Sequence, residues 1–240
     1  MAKLSEISTT APNTYTKDIC ITELQNLKEE LYHLQNQLFA QKKSSILVVF
    51  QGVDTSGKDS TIRHVFSSMN PMGVNVKSFK KPTEEEKNHD FMWRIFPHFP
   101  AKGTIQIFNR SHYEDIIMPQ ILGVEVALEK RLEFIRQTED HLTRHGTHII
   151  KFFLHVSKTE QADRINERKT NPKKRYKYTP ADELAAGKYP IYQNLYDALI
   201  SGPTNLPWQI IPADNKWYRN YKVAKDMVEL LKSIIDNNER

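Results

Sequence analysis

Ile46-Leu-Val-Val-Phe50-Gln-Gly52-Val-Asp54-Thr-Ser-Gly57-Lys58-Asp59-Ser60-Thr61 is the stretch that decides the fold. The apolar run Ile46–Phe50 has the length of a strand buried on both faces. It leads directly into glycine, four residues, glycine and lysine, and the patterning from Lys58 to Met69 is helical. Glycines let successive backbone N–H groups turn toward one point, and the N-terminus of the following helix adds partial positive charge there. Such a loop suits a phosphate group, and Lys58 adds a point charge for its oxygens. In the usual form of the loop, a Ser or Thr directly after the lysine holds Mg²⁺. Here Asp59 intervenes before Ser60-Thr61, which points to carboxylates as metal ligands, with Asp54 the obvious candidate. The bland alternative is a strand-to-helix turn with incidental glycines, but strand, loop and helix fall in the order that phosphate binding requires.

Outward from this loop, strand and helix alternate. Val74–Phe79, Thr104–Phe108, His148–Val156 and Trp208–Pro212 read as strands. Lys58–Met69, Glu84–Trp93, Glu125–Arg144, Thr159–Lys169, Tyr192–Ile200 and Tyr221–Ile235 read as helices. This order implies right-handed crossovers and a mostly parallel sheet, an α/β fold. Ahead of the first strand, Leu24, Leu27, Leu31, Leu34 and Leu38 form one apolar stripe on a helix ending near Lys43. The stripe reads as core, with a dimer surface as the alternative. Residues 1–16 are small and polar and read as a flexible N-terminal arm. The remainder, 17–240, reads as a single domain.

Ligands in open α/β sheets lie beyond the carboxyl ends of strands, so Phe108-Asn109-Arg110-Ser111-His112-Tyr113-Glu114-Asp115 should face the crevice of the phosphate loop. Arg110 can chelate phosphate oxygens, and Asp115 or Glu114 can hold Mg²⁺. His112 reads as a structural histidine rather than a catalytic one. Arg164, Arg168, Lys169, Lys173, Lys174, Arg175 and Lys177 crowd one segment, about 164–187, where a small nucleotide kinase carries its lid. A lid over one triphosphate needs two or three cations, so these suggest a longer polyanion. Tyr176 and Tyr178 interleave with them and leave single-strand nucleic acid open. Lys80 follows a strand end, and Asp90 and Arg94 share a helix face as an ion pair or part of an acceptor site. His141, His145 and His148 lack a carboxylate at ligand spacing and read as non-ligands.

The chain has 240 residues with 34 Lys and Arg against 29 Asp and Glu, a formal charge of +5, which is globular and only mildly basic. No apolar run approaches the ~20 residues of a membrane helix. Cys20 is the single cysteine, so no intramolecular disulfide can form, and a reducing, cytoplasmic setting is expected.

Taken together, Gly52-Val-Asp-Thr-Ser-Gly-Lys-Asp59, Asn70-Pro, Ser78-Phe-Lys80, His89-Asp90, Trp93-Arg94, Phe108-Asn-Arg-Ser-His-Tyr-Glu-Asp115, Lys151-Phe-Phe-Leu154, Asn171-Pro-Lys-Lys-Arg175 and Ile211-Pro-Ala-Asp214 resemble the family 2 polyphosphate kinases, from about Leu24 to Arg219. Asn109 and the ending Glu114-Asp115 are most similar to the class III members. The resemblance implies a thymidylate-kinase-like P-loop fold of three layers with a helical basic lid. It implies phosphoryl transfer between inorganic polyphosphate and nucleotides, phosphorylating AMP and ADP to ADP and ATP, with guanine nucleotides as further substrates. Mg²⁺ would be the cofactor, with Mn²⁺ as a substitute. Asp54 and Asp115 would hold the metal, with Lys58 and Arg110 completing the catalytic set. Lys58, Lys80, Arg110, Arg164, Arg168 and Lys174 would line the polyphosphate path, and Asp90 and Arg94 would face the nucleotide. A homo-oligomer, dimer or tetramer, is implied, and no membrane or nucleic-acid partner. Two positions depart from the family's common pattern: Ser60 stands where glycine is usual, and Lys188-Tyr189-Pro190 where a tryptophan is expected. An ATP-dependent nucleoside monophosphate kinase and a non-catalytic polyanion-binding module are the alternatives.

Overall fold

Every residue of strand β1 (Ser45–Gln51) is buried, as an apolar run without alternation requires when both faces are covered. In the computed structural model, whose described residues are 3–203 and 206–239, β1 is the centre of a five-stranded sheet. The others are β2 (Val74–Ser78), β3 (Ile105–Asn109), β4 (Thr147–His155) and β5 (Trp208–Pro212), all parallel, in the order β2-β3-β1-β4-β5. The strands fall where the patterning places them. Pairing of Phe50 with Asn109 in register sets the end of β3 level with the start of the phosphate loop.

The chain leaves β1 toward β2 on one side of the sheet and leaves β3 toward β4 on the other. Right-handed crossovers in opposite directions place their helices on opposite faces. One group is α1 (Lys17–Gln41), α2 (Lys58–Phe66) and α9 (Lys216–Glu239); the other is α4 (Glu114–Leu122), α5 (Leu128–Arg144) and α8 (Tyr189–Ser201). The result is a three-layer α/β architecture. Along α1, Leu24, Leu31 and Leu38 are buried, and the helix packs along α9. The leucine stripe is therefore core and not a dimer surface. The helix begins earlier than the stripe because Thr16 caps it, its hydroxyl accepting from the Ile19 N–H.

Two further expectations are corrected. The helix expected over 84–93 is only α3 (Glu84–Lys87). Asp90 accepts a hydrogen bond from the Met92 N–H at 2.8 Å and starts a separate turn, the usual competition of an Asp side chain with the helix ladder. The arm is not loose either: residues 3–16 lie against the body, while Met1 and Ala2 fall outside the described residues. Leu4 is buried in the main core and its N–H donates to Asp197 at 2.8 Å. The Thr9 hydroxyl donates to Asp214 at 2.7 Å, and Tyr15 packs on Tyr218 and Tyr221. Polar composition concealed this docking because it depends on one apolar side chain and a few distant acceptors. Among the described residues no helix is long and apolar enough to cross a membrane.

Leu4→Ala should therefore cost about 2–4 kcal/mol in urea unfolding. A residue in a loose arm would change stability by no more than about 0.5 kcal/mol.

Candidate active site

After Gln51 the chain turns at Gly52 (φ 143°) and passes through Gly57 (φ 106°) into α2. A Cβ on Gly52 would lie 2.8 Å from the Leu154 carbonyl oxygen, and one on Gly57 would lie 1.9 Å from Arg219 Nη1. Space and backbone conformation both demand glycine at these positions. Between them, five consecutive carbonyl oxygens are captured by side chains. Lys58 Nζ donates to Gly52 at 2.7 Å and Val53 at 3.1 Å, and Gln161 Nε2 donates to Asp54 at 3.0 Å. Arg164 Nη1 donates to Thr55 and Ser56 at 3.0 Å each, and Arg219 Nη1 joins it on Ser56 at 3.2 Å. In a trans peptide the N–H points opposite to the C=O, so holding the carbonyls inward leaves the loop amides on the other side of each plane. Of these, the Ser56 N–H folds back onto the Val53 oxygen.

The facing wall comes from the end of β3. Arg110 has φ 60°, a strained conformation for a side-chain-bearing residue, and its N–H is fixed on the Phe50 carbonyl at 3.1 Å. This aims its guanidinium across the crevice at the Asp54 carboxylate, with which it pairs. Burial alone would raise the Asp54 pKa, but Arg110 and Lys58 hold it below the usual carboxylate range. Glu114 stands in the same charged group. Burial raises its carboxyl, with a further push from Asp54, against the pull of Arg110 and Lys58. Burial pushes the Lys58 ammonium down to about 8, helped by Arg110 and opposed by Asp54, Glu114 and Asp59.

The structure gathers Asp54, Lys58, Lys80, Arg110 and Arg168 around one cleft of about 720 Å³. Lys177 also lines it, from the turn between α6 (Lys158–Thr170) and α7 (Pro180–Gly187). Several expected residues are elsewhere. Arg164 is buried and all its N–H groups are spent on the protein: Nε on Glu160 at 2.7 Å, Nη1 on the loop, and Nη2 on the Ala213 and Asp214 carbonyls at 2.6 and 3.0 Å. It braces the loop and is not part of the cleft lining. Lys174 pairs with Glu167 instead of lining the cleft. Asp115 accepts from Arg94 Nη2 at 3.1 Å, and Arg94 Nη1 holds the Lys80 carbonyl at 2.8 Å. Glu114, unlike Asp115, shares the charges of Arg110 and Lys58 with Asp54, though neither Glu114 nor Asp115 is part of the cleft lining. Asp90 is spent on its own turn and is outside the cleft lining. His112 is buried with Nε2 3.5 Å from Glu139 and lies outside the cleft lining. Trp217-Tyr218-Arg219, just after the last strand, reads from sequence as either nucleotide-facing or packing, and the fold places Arg219 under the loop instead. Nothing in the local sequence of Gln161 marks it for the same place.

Among the described residues no three His, Cys, Asp or Glu side chains gather as a metal cage. Asp54 and Glu114, which share the charges of Arg110 and Lys58, are the carboxylates that could serve Mg²⁺, which keeps several waters and takes its remaining oxygens from substrate phosphates.

The chain is 41% identical over 222 residues to the AMP/ADP-polyphosphate phosphotransferase of Meiothermus ruber, covering 91% of this chain and 83% of that protein. It is 37% identical to the ADP-polyphosphate phosphotransferase of Rhodopseudomonas palustris, covering 86% and 77%. The crystal structure of polyphosphate kinase 2 from Arthrobacter aurescens TC1 superposes with a TM-score of 0.91 at 33% identity, over 97% of this chain and 86% of that one. The family model for polyphosphate kinase 2 matches residues 14–239, and with nearly the whole fold matched in this way the chain belongs to the polyphosphate kinase 2 family.

Proposed function

We propose that this protein transfers phosphoryl groups between inorganic polyphosphate and nucleotides, phosphorylating AMP to ADP and ADP to ATP. The observation that carries this reading is the cleft itself: Lys58, Lys80, Arg110, Arg168 and Lys177 surround one phosphate loop, more cations than a single nucleotide's phosphates need. The relatives named above act on polyphosphate with AMP or ADP, which supports the same substrates here.

Transfer between phosphoanhydrides asks the protein mainly for positioning and electrostatic stabilisation. The loop amides and Lys58 hold the donor chain at the transferring phosphate, and Arg168 and Lys177 hold its continuation along the wall. Arg110 reaches the same phosphate from β3. The low-pKa Asp54 carboxylate stays ionised and orients the acceptor oxygen for in-line attack. Mg²⁺, which we assign to Asp54 and Glu114, would supply charge neutralisation for the phosphates during transfer. Arg94 acts on the acceptor side indirectly, through the Lys80 carbonyl and Asp115.

The deciding experiment combines purified protein, Mg²⁺, long-chain polyphosphate and AMP, with ADP and ATP followed by chromatography. Both products should appear only when polyphosphate is present. Consumption of ATP in the presence of AMP, with polyphosphate inert, would make this a conventional nucleotide kinase. Asp54→Asn and Glu114→Gln should each lower kcat by roughly a hundredfold, the usual scale for losing one charged group at a transferring centre. Asp115→Asn keeps a hydrogen bond to Arg94 and should lose less than about tenfold. An Asp115→Asn protein as crippled as Asp54→Asn would return the metal to Asp115.

The depressed Lys58 pKa has a definite sign. Below about 8 the ammonium is charged, and as pH rises through that value the cleft loses a cation. The KM for polyphosphate should therefore climb between pH 7 and pH 9. Lys58→Arg stays protonated over that range, and its KM, whatever its level, should not follow the same curve.

A further inference from the structure

Arg219, on the first turn of α9, is 1% exposed with its guanidinium directly beneath the phosphate loop. Its donors meet neutral acceptors: Nη1 the Ser56 carbonyl at 3.2 Å, Nε and Nη2 the Asn220 Oδ1 at 3.3 and 3.1 Å, and Nη2 the Ser60 Oγ at 3.4 Å. Among the described residues it makes no ion pair. Arg164, on the same Ser56 oxygen, has one, to Glu160. Two buried guanidinium groups thus converge on one carbonyl with a single carboxylate to share. Burying a charge without a partner is strongly unfavourable. Burial, together with the neighbouring Arg164, pushes the Arg219 pKa down to about 9.

Gly57 shows how closely this cation is set. Arg219 Nη1 sits 1.9 Å from where a Cβ would be, so the guanidinium fills the place of a side chain directly below the last peptide of the loop. Holding the Ser56 oxygen down fixes the Ser56–Gly57 plane and turns the Gly57 N–H the other way. A side chain needed only to fill the space under α9 could be apolar and would avoid the desolvation penalty. A cation placed there instead projects its field through one layer of backbone into the cleft.

We propose that Arg219 is a positioning residue for the phosphate chain: it locks the Ser56–Gly57 peptide with its amide toward the cleft, and the charge it leaves unbalanced beneath the loop is balanced by the phosphate chain above it. This rests on the reading of the cleft as a polyphosphate site.

The test uses the full chain, with tripolyphosphate as probe and no nucleotide or metal. Arg219→Met, similar in length and neutral, removes the unbalanced charge, so the ligand-free protein should melt no lower than wild type. The rise in Tm caused by tripolyphosphate should fall by at least about half, and the KM for polyphosphate should rise by about tenfold, the scale of one charge-assisted hydrogen bond. Because the lost interaction holds the donor chain before and during transfer alike, kcat should stay within about threefold. Arg219→Lys, which keeps the charge, should recover most of the KM. Arg219→Met melting well below wild type, or failing to fold, would make Arg219 an ordinary brace and overturn the proposal. An unchanged tripolyphosphate shift with an unchanged KM would overturn it equally. Wild-type protein stabilised by tripolyphosphate but unable to phosphorylate AMP would instead sink the functional reading, because the binding arm needs no turnover.

Discussion

The carbonyl oxygens of residues 52–56 are held by four side chains, and the candidate site depends on that capture. A loop crossing the ends of buried strands cannot leave its polar groups without partners, since each buried bond left unmade costs about 1–3 kcal/mol. Here the donors come from three separate helices: Lys58 from α2, Gln161 and Arg164 from α6, and Arg219 from α9. The loop's local sequence supplies the freedom to adopt its path, through two glycines, and one of the four holding side chains, Lys58. The other three arrive from more than a hundred residues downstream. The phosphate loop is therefore a tertiary object, and a change in α6 or α9 acts on it as directly as a change within it.

Burial sorts the cations of this region into ligands and scaffold. Arg164 and Arg94 are buried, with their donors spent on protein oxygens. Releasing them would strand carbonyls as well as charge, so they stay in place. Arg168 is more accessible and reaches Asp182 at 3.3 Å, and the exposed Lys169 pairs with Glu183. The exposed Lys169–Glu183 pair contributes about 0–1 kcal/mol, whereas Asp182 is buried and its pairing with Arg168 is part-buried. Counting basic residues between 164 and 177 overstates the charge offered to a ligand, because part of it is structural and part is already paired. Of the basic residues between 164 and 177, only Arg168 and Lys177 line the cleft.

Local patterning revealed the five strands, the main helices and the phosphate loop because each is written in neighbouring residues: an apolar run, a leucine stripe, a glycine spacing. The same patterning brought Asp54, Lys58, Lys80, Arg110 and Arg168 to one cleft. It failed wherever the deciding partner was remote. Leu4 looked like part of a polar tail because its contact with the core and with Asp197 depends on the closed fold. Arg164 and Arg168 are equivalent by spacing, and only the Ala213 and Asp214 carbonyls separate a brace from a ligand. Glu114 and Asp115 are adjacent on α4, and only the fold separates them: Arg94, reaching over from a different loop, pairs with Asp115, while Glu114 shares the charges of Arg110 and Lys58. Lys151 belongs to the same class: a lysine inside a strand, buried because Glu139 and the Tyr113 hydroxyl meet its ammonium at 2.9 and 3.0 Å.

The two departures from the family's common pattern show how such differences are absorbed without touching the charges that matter. Ser60 carries a side chain where glycine is usual, yet its hydroxyl lies 3.4 Å from both Arg219 Nη2 and His64 Nδ1. It gives the buried guanidinium one more acceptor, which a glycine could not. Tyr189 stands in the stretch where a tryptophan is expected, and it too is buried, its hydroxyl donating to the Val156 carbonyl at 2.8 Å. That bond ties the start of α8 to the chain just beyond β4, anchoring the basic segment at its far end as Arg164 anchors it at the near one. An aromatic ring with a polar tip can satisfy that requirement with either side chain. Neither position is among Asp54, Lys58 and Arg110, so both differences fall on how the wall is held.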